Sequence, residues 1–259
     1  MARLAVLCGT GMTELATSTE GADVDKFRSD TPWGDVPCTL VKMNDLSGNH
    51  EHEILFIYRH HSPDGKVNPP HSIEHRANVY AATSFKPEAV ISVWCVGTMD
   101  SDFPPGVVGV ADDMLDISGT IWTYHDHSAV HVDRTEMFSR ELSLIATNEL
   151  KSQDGAGPNA YKQIVGQASG PQFESRADVE AYHRLGATCV NMTIGGEARC
   201  MSEKEPPHVG ILLSSNWAAG KDPGDSLAPV DHHSVEDLAA SMRARVWDAI
   251  VGIADHFDD

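Results

Sequence analysis

Arg3-Leu4-Ala5-Val6-Leu7-Cys8-Gly9-Thr10-Gly11 is the stretch from which the fold is read. Its first six residues form a short apolar run bounded by a glycine turn, the pattern of a buried strand. Outward from it the pattern recurs. Residues 53–58 form a second apolar strand that ends in Arg59-His60-His61, and residues 62–70, rich in proline, form a loop. Residues 73–84 place Ile73, Ala77, Tyr80 and Ala81 on one helical face. A third buried strand over 89–96 is closed by Gly97. Short strands are expected at 107–110, 114–117, 188–192 and 208–214, and turn chemistry at 31–37. Helices are expected at 135–150, 175–185 with Gly186 as the stop, and 196–203. A final helix from Ser234, with Asp237 three residues on, is expected to run through Phe257. Alternating strands and helices with short links predict a single α/β domain over 1–259, with a central mixed sheet flanked by helices. In such sheets ligands collect at the carboxyl ends of strands. Those ends carry Thr10, Arg59-His60, Trp94-Cys95, Met192-Thr193 and Asn216.

Composition bounds the function. With 41% hydrophobic and 22% charged residues the chain is globular. No apolar run reaches the length of a membrane span, and the first residues lack a signal-peptide pattern, so a cytoplasmic location is expected. Lys and Arg number 19 against 38 Asp and Glu, a net charge of −19. Such a surface repels nucleic acid and anionic membrane. It also repels an anionic substrate at long range, so an anion site must supply its own local cations. The five cysteines are odd in number and widely spaced, which reads as buried thiols in a reducing compartment.

Six short blocks then follow in order: Gly9-Thr10-Gly11; Arg59-His60; Pro69-Pro70-His71 with Ile73 and His75-Arg76-Ala77-Asn78; Gly170-Pro171 with Phe173-Glu174 and Ala177; Asn191-Met192-Thr193 with Glu197-Ala198; and Ser215-Asn216 with Ala218-Ala219-Gly220. Each alone is weak. Together, over about residues 3–250, the chain resembles the trimeric purine nucleoside phosphorylase and methylthioadenosine phosphorylase family. The resemblance implies a nine-stranded mixed fold and a homotrimer or hexamer. It implies phosphorolysis of a purine nucleoside to free base and ribose 1-phosphate, with inorganic phosphate as co-substrate and no metal or organic cofactor.

It also implies site residues. Thr10, Arg59, His60, Cys95 and Thr193 would hold phosphate, Arg59 through its bidentate fork. Trp94 stands where the family has a small or polar residue touching phosphate and ribose, and would narrow that pocket. Phe173 would stack on the purine, with Val190 and Ala218 beside it. Glu174 would accept the N1 proton, and Asn216 would donate to O6 and N7. Glu174, Asn216 and His60 are the catalytic set. Family members acting on 6-aminopurines usually carry Asp at the second position, so Asn216 points to a 6-oxopurine. Met192 would lie under the ribose and His75 would bond its hydroxyls, with His71 flanking. Val235 stands where a 5′-hydroxyl-binding His is found in phosphorylases of ordinary nucleosides, so an apolar methylthio group fits. His131 resembles a residue that reaches a neighbouring subunit's 5′ pocket. The implied substrate is 5′-methylthioinosine. An inosine/guanosine phosphorylase, a methylthioadenosine phosphorylase, a phosphate-independent nucleoside hydrolase and a non-catalytic binder are the alternatives.

Overall fold

The run at residues 3–8 is β1 (Arg3–Cys8) in the computed structural model, which describes residues 1–17, 22–44 and 51–257. In chain order there follow β2 (Asp23–Ser29), β3 (Val36–Asn44), β4 (Glu51–Tyr58), α1 (His75–Ser84), β5 (Ala89–Thr98), β6 (Val108–Asp116) and α2 (Arg140–Leu150). The second half holds β7 (Gln163–Gln167), α3 (Arg176–Arg184), β8 (Cys189–Asn191), α4 (Ile194–Met201), β9 (His208–Trp217), α5 (His232–Ser241) and α6 (Arg243–His256). The nine strands form one mixed sheet in the order β2-β3-β4-β1-β5-β8-β7-β6-β9, flanked by helices. β5 is its pivot. It pairs in parallel with β1 and β9 and antiparallel with β8, so β5, β8, β7, β6 and β9 close on themselves as a ring. β1 therefore ends beside the middle of β5, whereas β8 and the end of β9 meet β5 at Gly97 and Thr98.

Apolar residues of β1 alternate between two cores. Leu4, Val6 and Cys8 pack toward α2, α5 and α6, whereas Ala5 and Leu7 pack toward α1. The unbroken apolar run is the consequence, because both faces of the strand are covered.

Several boundaries differ from the sequence reading. β2 and β3 were not foreseen. β2 is almost wholly exposed at the sheet edge, so it carries no apolar signal. β7 was missed too: it is five residues long and its apolar content is only Ile164 and Val165. The two short strands around Asp112-Asp113 are one strand, bulged between Ala111 and Asp113. α2 starts five residues later than expected, since Ser139 caps it by accepting from the Leu142 amide. The last helix breaks at Met242 into α5 and α6. Its cap is Asp231, which accepts from the Ser234 amide, and not Ser234 itself.

Two histidines sit uncharged in this interior. Burial pushes His208 and His75 each down to about 3, and the nearby Arg59 adds to the effect. Unfolding returns both to the ordinary value near 6.5. The unfolded chain therefore takes up two protons that the folded chain refuses. Stability from this source is intact above about pH 6.5, is lost as pH falls below it, and stops falling only below about pH 3. Near pH 5 the two contribute a slope of roughly 2–3 kcal/mol per pH unit. The urea midpoint is expected to drop markedly between about pH 7 and about pH 5. His208→Leu is expected to flatten that acid limb by about half, and an equally steep limb in the variant would exclude this source.

Candidate functional site

The ends of β1, β4 and β8 and the middle of β5 meet at one corner of the sheet. Gly9 and Thr10 leave β1 in a turn closed by the Met12 amide on the Gly9 carbonyl at 3.1 Å. Cys95 lies across from it, with its thiol donating to the Thr10 carbonyl at 3.4 Å. Burial pushes that thiol up to about 12, so it stays protonated. Asn191 joins β8 to the same place. Its Nδ2 donates to the Cys95 carbonyl at 2.8 Å, and its Oδ1 accepts from the amides of Thr193 and Ile194, both at 2.7 Å. The Thr193 hydroxyl donates to the same Oδ1 at 3.2 Å, which aims this side chain at the corner.

Arg59 lies beneath that corner. Its side chain is 2% exposed and pairs with the fully buried Glu197 of α4 through two bonds, Nε at 2.9 Å and Nη2 at 3.0 Å. Nη2 also donates to the Leu7 carbonyl and Nη1 to the Val93 carbonyl, each at 2.8 Å. Four of the five N–H groups of the guanidinium are thereby used. The expected bidentate fork toward phosphate is not presented. Arg59 instead ties β1, β5 and α4 together, and one Nη1 hydrogen remains. Gly9 is required for this packing: a Cβ there would stand 2.6 Å from Nη1.

His60 follows Arg59 and is half-buried. Its Nδ1 lies 2.8 Å from the Asn68 carbonyl. Asn68 closes the 60–68 loop in two more ways, its amide donating to the His60 carbonyl at 2.7 Å and its side chain to the His61 carbonyl at 2.7 Å. Asn78 of α1 fixes the other side, donating to the Arg59 carbonyl and accepting from His61. Burial, reinforced by Arg59 and by His232 at the start of α5, pushes His60 down to about 4.

Trp94 is corrected outright. Strand alternation turns it away from Cys95 into the ring of strands, where it is fully buried against Phe138 and His208. It exposes nothing to a phosphate, so it does not narrow that pocket. His75 is corrected as well. It is 3% exposed, wedged against Trp122 and against Gly196, where a Cβ would stand 2.2 Å from its Cδ2. Buried this deeply, the ring presents almost no surface to a sugar. The reason is Gly196 of α4, whose missing side chain opens room for a ring that no spacing rule reveals.

The second corner is built around Gly97. The β5–β9 pairing slips between Val96 and Gly97, passing from Ser214 to Asn216. This irregularity brings Asn216 over Gly97, where a Cβ would meet Asn216 Nδ2 at 3.2 Å and Val190 and Ala218 at 3.4 Å. Asn216 Nδ2 donates to the Trp217 carbonyl at 2.8 Å, while Oδ1 accepts from Ser215 at 3.0 Å. The second Nδ2 hydrogen has no acceptor among the described residues. Val190, Ala218 and Met192 belong to one apolar cluster with Ala168. The 216–221 segment is seated beside α3 by Gly220 against the Arg176 side chain and by Lys221 on Glu180 at 3.0 Å. Glu174 and Phe173 sit at the head of α3, the first partly buried and the second 40% exposed. Burial raises the Glu174 carboxyl above the usual carboxylate range.

Thr10, His60, Cys95 and Thr193 thus meet at one corner, and Val190, Met192, Ala218 and Asn216 at the other. Val235 is 6% exposed on α5, the helix whose His232 and Glu236 act on His60 and Cys95. His71 is exposed in a single turn of 3-10 helix, and His131 is exposed in the irregular segment before α2, away from both corners' hydrogen bonds. Sequence reasoning missed Glu197 as the partner of Arg59 and Asn68 as the clamp on His60. Glu197 stood in a motif, but a pairing across 138 positions has no local signal.

The chain is 30% identical over 251 residues to a Thermococcus kodakarensis protein named probable 6-oxopurine nucleoside phosphorylase, covering 93% of this chain and 87% of that one. It is 33% identical over 223 residues to a Methanopyrus kandleri protein named probable S-methyl-5′-thioinosine phosphorylase, covering 85% and 81%. Among solved structures, methylthioadenosine phosphorylase from Schistosoma mansoni in complex with adenine superposes with a TM-score of 0.80 at 18% identity, over 100% of this chain and 92% of that one, and shares the fold. Residues 3–252 match the phosphorylase superfamily, and the chain belongs to it.

Proposed function

We propose that the protein is a pentosyltransferase that splits a purine nucleoside with phosphate, and that its substrate is 5′-methylthioinosine. The products are hypoxanthine and 5-methylthioribose 1-phosphate. The observation that carries this reading is Asn216, held over Gly97 with one amide hydrogen uncommitted and with Glu174 in the neighbouring segment. The departing purine gains negative charge on N7 and O6, and an amide N–H donates to both without first needing a proton. Glu174 accepts from N1–H, a contact that offsets the burial raising its pKa. Val190 and Ala218 form the apolar wall for the base, Phe173 stacks on it, and Met192 lies under the ribose.

Phosphate approaches from the first corner. Thr10, Thr193, the turn amides and the remaining Arg59 hydrogen orient it, which is the larger part of such a reaction. Val235 offers the 5′ group an apolar surface and leaves a hydroxyl unsatisfied. His131 lies apart from the site within one chain, so its 5′ role requires a neighbouring subunit, as in a homotrimer. The names of the relatives support the reaction class and the 6-oxopurine preference. A cytoplasmic location belongs to the same proposal.

A panel of inosine, guanosine, adenosine, methylthioadenosine and methylthioinosine, each with and without phosphate, tests this. Methylthioinosine is expected to have the highest kcat/KM and to require phosphate. Equal hypoxanthine release without phosphate excludes a phosphorylase.

A further inference from the structure

We propose that Gln167 is a positioning residue of the nucleoside site: from the end of β7 its side-chain amide caps α4 and holds the Met192 backbone in place, and Gly195 lacks the Cβ that would displace it. The inference rests on the phosphorylase reading and deepens it.

A helix begins with amides that have no partner inside it. Thr193 stands at the cap position of α4, but its side chain caps nothing. Its hydroxyl donates to Asn191 Oδ1, the atom that also accepts from the Thr193 and Ile194 amides. The next amide, that of Gly195, donates to Gln167 Oε1 at 2.6 Å. The cap of α4 thus comes from two side chains on neighbouring strand ends, Asn191 of β8 and Gln167 of β7, which lie opposite each other in the parallel pairing. Gln167 uses the other end of its amide as well. Nε2 donates to the Met192 carbonyl at 3.0 Å and to the Ala168 carbonyl. Carbonyls only accept and an amide N–H only donates, so these three contacts fix which end of the side chain is nitrogen. Gln167 is 7% exposed, and both ends of its amide are committed inside the fold.

One planar group therefore spans Met192 and Gly195. Met192 is confined from a second direction by the turn at Gly170, where a Cβ would stand 2.9 Å from its Sδ. It packs against the cluster that holds Ala168, Val190 and Ala218, so a shift of its backbone moves the surface under the ribose relative to the wall for the base. Gly195 is the counterpart of Gln167. A Cβ there would meet Gln167 Cγ at 2.7 Å and both Cδ and Oε1 at 2.9 Å. A side chain bonded at both ends cannot yield to such a contact without giving up one of its bonds. The strand end beneath it is anchored too, because the Tyr182 hydroxyl of α3 donates to the Gln167 carbonyl. Gln167 thus links α3, the Met192 segment and the start of α4 while offering no group to a substrate. An apolar side chain of equal length would leave the Gly195 amide and the Met192 carbonyl without partners in the interior, and the segment between them would turn to find others.

The test compares the full-length enzyme with Gln167→Met, close in length and without the amide. It uses the nucleoside that the wild type turns over best and the free base released from it. kcat/KM for the nucleoside is expected to fall about 10- to 100-fold, the order of loss for a misplacement of about 1 Å. Binding of the free base, measured by calorimetry, is expected to stay within about threefold, because its contacts are Asn216, Glu174 and Phe173 and not the surface under the sugar. A general loosening of the fold would weaken both alike. Gly195→Ala, which keeps Gln167 and crowds it by one methyl, is expected to show the same split. A folded Gln167→Met with nucleoside kcat/KM within about twofold of wild type overturns the inference, as does an equal loss for base and nucleoside. If Gln167→Met does not fold, Gly195→Ala decides by the same limits. Neither result touches the phosphorylase reading, which fails only if wild-type turnover is independent of phosphate.

Discussion

Glu197→Ala is expected to lower stability by about 3–5 kcal/mol, the largest effect of any single substitution at the site. The wild-type pair is almost completely removed from water, with Arg59 2% and Glu197 0% exposed. Removing the carboxylate leaves a guanidinium bonded to the Leu7 and Val93 carbonyls with no counter-charge. The penalty is that of a stranded charge, not of one lost contact. The double variant Arg59→Met with Glu197→Leu is therefore expected to recover most of the loss, because well-packed apolar groups replace a buried pair at little cost. Urea unfolding with a constant m value measures both. A single-variant loss below about 1 kcal/mol would show that the pair is not isolated from solvent. The recovered double variant is also expected to bind phosphate poorly, since Arg59 holds the end of β1 and the middle of β5, next to Thr10 and Cys95.

Asn216→Ala is expected to reduce kcat and kcat/KM for the 6-oxopurine nucleoside together, by about 10²–10³. The amide N–H contributes most when charge has accumulated on the leaving base, so the loss falls on the transition state. Stability should change little, because the bonds lost are local, to Ser215 and Trp217. A rise in KM with unchanged kcat would reduce Asn216 to a binding contact. Asn216→Asp supplies the complementary result. A carboxylate donates only after protonation, so preference is expected to move toward 6-aminopurines, and an unchanged preference would refute the donor-matching argument.

The fold was legible wherever burial made its mark on local pattern. β1, β4, β5 and β9 are apolar runs because helices cover both faces of the sheet. β2 was invisible because an exposed edge strand carries no such pattern. The Ser215-Asn216 block was legible as a polar strand end, and the structure sets its Asn216 over Gly97. At the corner where β1 and β4 end, the sequence offered the residue types, and the structure commits several of them inside the fold. Arg59 looked like a phosphate fork, Trp94 like a pocket wall and His75 like a sugar ligand, because each stands at or after a strand end. Burial decides otherwise in all three, and burial at a strand end depends on the facing element.

By itself the sequence determined the alternation of strands and helices, the acidic surface and the types of group offered at the strand ends, since each follows from local chemistry. Only the tertiary structure decided which of those groups remain available. The closure of β5 through β9 buries Trp94, α4 brings Glu197 to Arg59 across 138 positions, and the Asn68 carbonyl engages Nδ1 of His60. A hydrogen bond already spent inside the fold cannot be offered to a substrate. That accounting requires knowing which distant residues have been brought within 3 Å.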